Sequence, residues 1–392
     1  MATLSSTQNQ AVDAPAGPVF AHVVGWGMAL PDKVMTNEEI SAFVETSDEW
    51  IYARTGIKER YIAGEGESTA TLAYKAAQQA LEVADILPID LDLIVVATST
   101  PENIFPSSAS LVQDWLNAHH AGAFDLSAAC SGFVYAMNMA ADSIRAGSIQ
   151  TALVIGSETM SRILDWQDRS TCILFGDGAG AVVLAASEIE GGVKSSVLRS
   201  DGAGSDLLAI PSVGSIDAAE SRAGANGNKL YKMTMAGGEV FRFATRVVND
   251  SIEQASKMAG IGVEDIDLVI PHQANLRILQ AAARKLGIDI NKFMSNVEYY
   301  GNTSAASIPI ALCEAIEQKR IQDKDHIALV GFGGGLTWAS MIIQWGIPKP
   351  SEQHGSVFNR QRRKVQYRMA RWRSRSRRLR RRVKRGIKDF RA

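Results

Sequence analysis

The chain has 392 residues, 46% hydrophobic and 7% aromatic, enough to bury a large core and, on length alone, to form two or three domain-sized units. Its three cysteines, Cys130, Cys172 and Cys313, are too few and too scattered for a disulfide framework and match no zinc spacing, so a reducing cytoplasmic setting is expected. The formal net charge of −1 hides an asymmetry: residues 351–392 hold 17 Lys/Arg and 2 Asp/Glu, so a body of charge −16 carries a tail of +15.

The first eighteen residues, MATLSSTQNQAVDAPAGP, lack a basic start and an apolar run. Residues 1–20 are therefore expected to be a disordered polar leader and not a signal peptide. No stretch of the sequence approaches transmembrane length. A helical pattern around 69–83 precedes DLDLIV at 90–95, which reads as a buried strand. The strand-like AFDL at 123–126 then runs through small residues to Cys130, after which Phe133, Val134, Met137, Ala141 and Ile144 recur at helical spacing. Cys130 thus falls at or near a helix N-terminus, where unpaired N–H groups and the macrodipole favour a thiolate and lower a thiol pKa from its free value of about 8.5. Taken alone, this segment more often holds a buried structural cysteine, and other segments must decide. Cys172 and Cys313 lie in apolar runs and read as structural. GDGAG at 176–180 lacks the GxGxxG and Walker spacings and reads as a tight turn with sheet packing.

The second half repeats the first. DIDLVI at 265–270 follows a helical pattern at 236–259 and returns DLDLIV after 175 residues, while ALVIG at 152–156 returns as ALVGF at 328–332 after 176. Two matches at nearly one offset imply duplicated halves, and strands alternating with helices imply α/β units with mainly parallel, buried strands: two similar sheets enclosing shared helices. Ligands collect near strand ends in such sheets. His272 lies just beyond the strand ending at Ile270, and Asn302 lies in YGNTSAASIP at a turn roughly equivalent to that of Cys130. Approximate symmetry would bring all three to one cleft. Alone, His272 could be a satisfied core histidine and Asn302 a helix N-cap.

Longer motifs then coincide: TSDEWIYARTGIKER at 46–60, AACSGFVYA at 128–136, DRSTCILFGDGAGAVVLAAS at 168–187, TMAGGEVFRFA at 234–244, PHQANLRI at 271–278, YGNTSAASIP at 300–309 and GFGGGLTWAS at 331–340. Together, from about Ala21 to Trp345, they resemble 3-oxoacyl-[acyl-carrier-protein] synthase III, the initiating condensing enzyme of type II fatty-acid synthesis, in the thiolase superfamily. The resemblance implies a thiolase-like duplicated α/β fold of two mixed sheets with shared central helices. It implies an acyltransferase, homodimeric by analogy, acting on acyl-CoA and malonyl-acyl-carrier protein by decarboxylative condensation, with a coenzyme A thioester as substrate and no permanent cofactor or metal. Cys130 would carry the acyl group, and His272 and Asn302 would act on the malonyl thioester. The backbone N–H groups of Cys130 and Gly334 would form an oxyanion hole. Trp50, Arg54 and Arg169 would hold the adenine end of coenzyme A, and Phe105 would reach into the partner subunit's acyl pocket.

Arg277 and Arg284, seven apart on NLRILQAAARKLG at 275–287, with Lys285 beside the latter and Arg242 nearby, could form a docking face for an acidic carrier protein; a solvated charged face gives the same pattern. A surface salt-bridge cluster would likewise account for Trp50, Arg54 and Arg169 without the resemblance. Gly238 departs from the family pattern, in which many relatives carry a larger polar residue. The chain divides into the leader 1–20, an N-terminal half 21–190 with the nucleophile, a linker and C-terminal half 191–346 with His272 and Asn302, and a tail 347–392 that the family ordinarily lacks. In the tail Val365, Met369, Trp372, Leu379, Val383, Ile387 and Phe390 fall at helical spacing, so a basic amphipathic helix and a solvated tail are both open, with an anionic membrane surface, an acidic protein or nucleic acid as partner. Related condensing enzymes with another acyl donor or a malonyl-CoA acceptor, a cysteine-dependent thioester hydrolase and a noncatalytic adaptor are the competing functions; intact Cys130, His272 and Asn302 weigh against the adaptor.

Overall fold

The computed structural model describes residues 17–211 and 231–346, together with Arg363, Val365, Tyr367, Met369, Arg373 and Ser376, each helical. The leader up to residue 16 and the other tail positions, including Trp372, Leu379, Val383, Ile387 and Phe390, lie outside the described residues.

Thirteen strands are described: β1 Phe20–Ala29, β2 Lys33–Thr36, β3 Glu59–Ile62, β4 Leu93–Ala97, β5 Gly122–Leu126, β6 Thr151–Thr159, β7 Asp177–Ser187, β8 Gly192–Ser200, β9 Leu208–Ala209, β10 Thr234–Met235, β11 Leu268–Pro271, β12 His326–Gly333 and β13 Thr337–Gln344. They form two principal sheets, ordered β1-β7-β6-β4-β5 and β11-β12-β13-β8, and two small two-stranded ones, β2-β3 and β9-β10.

The expected duplication is visible strand by strand. In the first sheet β4 and β6 are parallel, β6 and β7 antiparallel, and β7 and β1 antiparallel. In the second, β11 and β12 are parallel, β12 and β13 antiparallel, and β13 and β8 antiparallel. The sheets are therefore mixed, as the resemblance implied, and not mainly parallel, as the alternation of strands and helices alone suggested. The physical reason is plain at β12 and β13, joined by only Gly334, Gly335 and Leu336: so short a connection can only reverse the chain, whereas a parallel neighbour needs a crossover.

The helices Gly132–Arg145 and Ser307–Glu317 begin 175 residues apart and lie between the sheets. Phe133, Met137 and Ile144 from the first, and Ile308 and Leu312 from the second, join Val154 of β6 and Leu329 of β12 in one buried cluster. Burying each such side chain contributes about 1.5–3 kcal/mol. The alternate residues of β6, Leu153 and Ile155, face a second cluster built on Leu72, Ala76 and Leu81 of the helix Thr69–Ala84. Both faces of β6 are thus covered, which is why its sequence runs apolar without alternation. The second sheet is backed by the helices Gly237–Ala259 and Leu276–Leu286. GDGAG is a packing device: a Cβ on Gly180 would come within 2.7 Å of the Pro309 and Ile310 backbone, so glycine lets the helix Ser307–Glu317 lie against β7.

No described helix is long and apolar enough to cross a membrane. In the tail, Arg363 pairs with Asp85 at 2.8 Å and is buried, and Tyr367 meets the edge of Tyr74 at 6.4 Å. Val365 and Met369, the described members of the apolar stripe, are exposed.

Candidate active site

The chain leaves β5 at Leu126 and turns through Ala129–Ser131 into the helix Gly132–Arg145, placing Cys130 at the turn. Its counterpart, Ser304–Ala306, leads into Ser307–Glu317. Ala129 and Ser304 occupy the same place in the two turns, and both are non-glycine residues with left-handed backbone, φ 45° and 50°. Such strain is kept only where the surroundings enforce it. The turns meet tip to tip, with Cys130 Sγ 3.5 Å from Ser304 Oγ. On the other side β12 closes in: a Cβ on Gly333 would lie 2.8 Å from Cys130 N and 3.0 Å from its Cβ, so only glycine permits this approach.

One cavity of about 960 Å³ contains the wall formed by Cys130, His272, Asn302 and Gly334. His272 leaves the end of β11, with its N–H held by the Val330 carbonyl at 2.7 Å. Its Nδ1 lies 2.6 Å from Ser307 Oγ, the first residue of the second central helix, and its ring edge meets Phe332. Burial drives its pKa down to about 3, so the imidazole is neutral near pH 7. Asn302 is fixed by its own turn: the Ser304 N–H donates to Oδ1 at 2.8 Å, which identifies the oxygen and leaves the Nδ2 hydrogens for the cavity. Its backbone is held by Leu174 and Gly176. A buried thiol and two neutral N–H donors therefore share one space, an arrangement able to take up an acyl group and to steady an oxyanion.

The thiolate expected at Cys130 is corrected. Burial pushes the thiol up to about 12, outweighing the lowering effect of the Ser304 hydrogen bond, with smaller contributions from the Glu158 charge, which raises it, and the Cys130 backbone N–H, which lowers it. Cys130 is a protonated thiol at rest. Cys172 and Cys313 are buried, and burial likewise raises both thiols.

Trp50, Arg54 and Arg169 line the same cavity. Both guanidinium groups lie over the indole, at 4.1 Å for Arg54 and 4.7 Å for Arg169, whose Nη1 also donates to the Glu45 carbonyl. Arg277 sits 5.9 Å above Phe241, another lining residue, and so flanks the cavity. Arg284 is exposed on the same helix; Arg242 pairs with Glu239 and Lys285 with Asp250, both in exposed bridges. A Cβ on Gly238 would touch only Arg242 Nη1 at 4.0 Å, so no packing demands glycine there. Phe105 is 85% exposed, away from the core, beside an 81% exposed Ile104.

Sequence reasoning missed Glu158, Ser304 and Ser307. An acidic residue next to the end of the apolar strand TALVIGSET was the available signal for Glu158. The seryl pair carried none beyond its place in YGNTSAASIP.

Residues 124–202 match the family described as 3-oxoacyl-[acyl-carrier-protein (ACP)] synthase III, and residues 257–345 match its C-terminal region. The chain is similar to beta-ketoacyl-[acyl-carrier-protein] synthase III of Rhizobium meliloti, 51% identical over 328 residues that cover 82% of this chain and 98% of the relative. Against the protein of that name from Desulfitobacterium hafniense strain DSM 10664 / DCB-2 it is 49% identical over 327 residues, 83% and 98% of the two chains. The crystal structure of 3-oxoacyl-[acyl-carrier-protein] synthase III from Aquifex aeolicus VF5 superposes with a TM-score of 0.77 at 44% identity, covering 83% of this chain and all of that one.

Proposed function

Because this chain belongs to the 3-oxoacyl-[acyl-carrier-protein] synthase III family, we propose that it joins a short acyl-CoA to malonyl-acyl-carrier protein by decarboxylative condensation, initiating type II fatty-acid synthesis in the cytoplasm. The observation that carries this reading is the convergence of Cys130, His272 and Asn302 on one cavity, from halves far apart in sequence.

In the first half-reaction Cys130 Sγ attacks the acyl-CoA carbonyl and coenzyme A leaves, giving a thioester on Cys130. In the second, loss of carbon dioxide from the malonyl group develops negative charge on its thioester oxygen, met by His272 Nε2–H and Asn302 Nδ2–H. A neutral His272 suits this role. With the Gln273 N–H donating to Ser307 Oγ at 3.4 Å, the Ser307 hydroxyl proton can point at Nδ1, the tautomer that leaves Nε2 protonated. The carbanion attacks the acyl-Cys130 carbonyl, and Cys130 departs. We assign the oxyanion of that step to the Cys130 and Gly334 N–H groups, supported by the close approach of Gly333 to Cys130.

Trp50, Arg54 and Arg169 hold the adenine end of coenzyme A at the cavity they line, and Arg242, Arg277, Arg284 and Lys285 receive the acidic carrier beside it. The protein pairs as a homodimer through the open edge of β5, with exposed Phe105 entering the partner's acyl pocket. The halves 21–190 and 191–346 act as two units of one fold. The +15 tail brings the acidic body to an anionic membrane surface, where each basic residue contributes up to about 1 kcal/mol; truncation after Pro350 then abolishes salt-sensitive binding to anionic vesicles, and a full-length chain that ignores vesicles but retains acidic protein or RNA redirects that assignment.

Incubating the purified chain with a panel of acyl-CoAs and malonyl-carrier protein, then weighing the products, tests the main reading. A 3-oxoacyl-carrier product with release of carbon dioxide supports it; free acid instead identifies a thioester hydrolase.

A further inference from the structure

Glu158, the penultimate residue of β6, lies directly behind the nucleophile and is fully buried. Its carboxylate only accepts: the Ser99 N–H donates to both oxygens at 3.0 and 3.1 Å, Thr98 Oγ1 to Oε2 at 3.1 Å, Thr100 Oγ1 to Oε2 at 2.5 Å and Ser304 Oγ to Oε1 at 2.9 Å. The directions follow from the neighbours. Thr98 Oγ1 accepts from the Thr100 N–H and Thr100 Oγ1 from the Thr159 N–H, so each hydroxyl has its proton to give. With the Ser304 proton committed to Glu158, its oxygen presents a lone pair to the Cys130 thiol at 3.5 Å. The result is a directed chain, Cys130 S–H to Ser304 O–H to Glu158.

We propose that Glu158 is a positioning residue that receives the Cys130 proton through Ser304 during acylation and returns it after condensation. The inference rests on the assignment of Cys130 as nucleophile. As Sγ bonds to the acyl carbonyl, its proton passes to Ser304 Oγ while the Ser304 proton passes to Glu158, and coenzyme A leaves as a thiolate that takes a proton from solvent. When the carbon nucleophile expels Cys130 as a thiolate, the two transfers reverse. The Cys130 proton stays inside the network through both half-reactions, while the negative charge of the first leaves with coenzyme A.

Three observations favour this route. Cys130 is a buried thiol, so its proton must leave in the same event as the attack. Burial also raises Glu158, partly offset by its four donors, so a transferred proton is held there more readily than on an exposed carboxylate. The titratable groups about the chain, among the described residues, are Cys130 after β5, Glu158 on β6 and His272 after β11; burial makes His272 a poor proton acceptor. Thr98, Ser99 and Thr100 after β4, Thr69 of the helix Thr69–Ala84, and Ser304 are uncharged.

The test is the rate of Cys130 alkylation by iodoacetamide against pH, without substrates, in the wild type, Glu158→Gln and Ser304→Ala. Internal transfer makes the wild-type rate roughly independent of pH from about pH 6 to 8, because the reactive tautomer has the same net charge as the resting one. Either substitution sends the proton to solvent, and the rate then climbs about tenfold per pH unit. Ser304→Ala preserves the Glu158 charge and so separates transfer from repulsion. A sloping wild-type profile, or variants that keep the wild-type plateau, overturns the proposal; so does faster alkylation of Glu158→Gln at pH 7, which would make Glu158 a source of repulsion alone. Condensing and hydrolytic activities give the same profile, so failure here leaves the proposed function standing.

Discussion

The two halves share four strands, a central helix and a strained turn, yet they differ where chemistry is needed. At the turn, the first half has Ala129 and Cys130 where the second has Ser304 and Ala305. Beside it, Glu158 is the penultimate residue of β6 where the second half has Gly333 at the end of β12. Glycine lets the second sheet press against the thiol, whereas the carboxylate reaches across to the opposite turn. The first sheet also carries β5, an edge strand leading to Cys130, while among the described residues the second has in its place an isolated bridge between Val269 and Phe293. Duplication supplies the symmetrical scaffold, and on the function proposed above a few unsymmetrical substitutions would assign the nucleophile to one half and the N–H donors to the other.

That division is broken most severely on the donor side. His272→Ala or Asn302→Ala should lower malonyl decarboxylation by about 10²–10³-fold, the usual loss for an oxyanion donor, while Cys130 acylation survives. Measuring carbon dioxide release and acyl-enzyme formation separately decides it; a collapse of acylation with decarboxylation intact would mean that the roles are exchanged.

Buried His272 should also set the acid limit of stability. The unfolded side chain takes a proton below about pH 6.5 and the folded one only near pH 3, so the unfolded chain binds more protons and stability falls as the pH drops through that window. At pH 5 this amounts to about 2 kcal/mol. Urea midpoints at pH 7 and pH 5 should therefore separate less in His272→Gln than in the wild type; equal separations would show that the histidine is not buried neutral.

Gly333→Ala places a methyl group 2.8 Å from Cys130 N and should cost about 1–3 kcal/mol, with roughly tenfold slower acylation. Thermal melts and acyl-enzyme formation rates of Gly333→Ala check both effects; an unchanged acylation rate would show that β12 does not press on the thiol. The smallest effect concerns the carrier: Arg277→Glu with Arg284→Glu should raise the KM for malonyl-carrier protein severalfold, more at low salt, and leave acyl-CoA kinetics unchanged. Equal effects on both substrates would mark general damage.

Much of this was legible in sequence because periodicity and spacing are local. Phe133, Met137 and Ile144 announced the helix after Cys130, and the 175-residue offset announced the second sheet. Strand direction was not legible, since β12 and β13 read as buried strands whichever way they run. Nor was the charge state of Cys130. The helix start argued for a thiolate, but burial and Glu158, 28 residues away, act in the opposite sense and become visible only when β6 is laid behind the turn. Ser304 and Ser307 are unremarkable among the small residues of YGNTSAASIP until the fold brings one to Cys130 and the other to His272.

The division of labour between the halves is tested most directly by peptide mass mapping after acyl-CoA treatment, followed by a chase with malonyl-carrier protein. The expected result is an acyl adduct on Cys130 alone, absent from Cys172 and Cys313, that disappears in the chase as 3-oxoacyl-carrier product forms. An adduct that persists in Cys130→Ala, or one that discharges to free acid without extending the carrier, would refute that division.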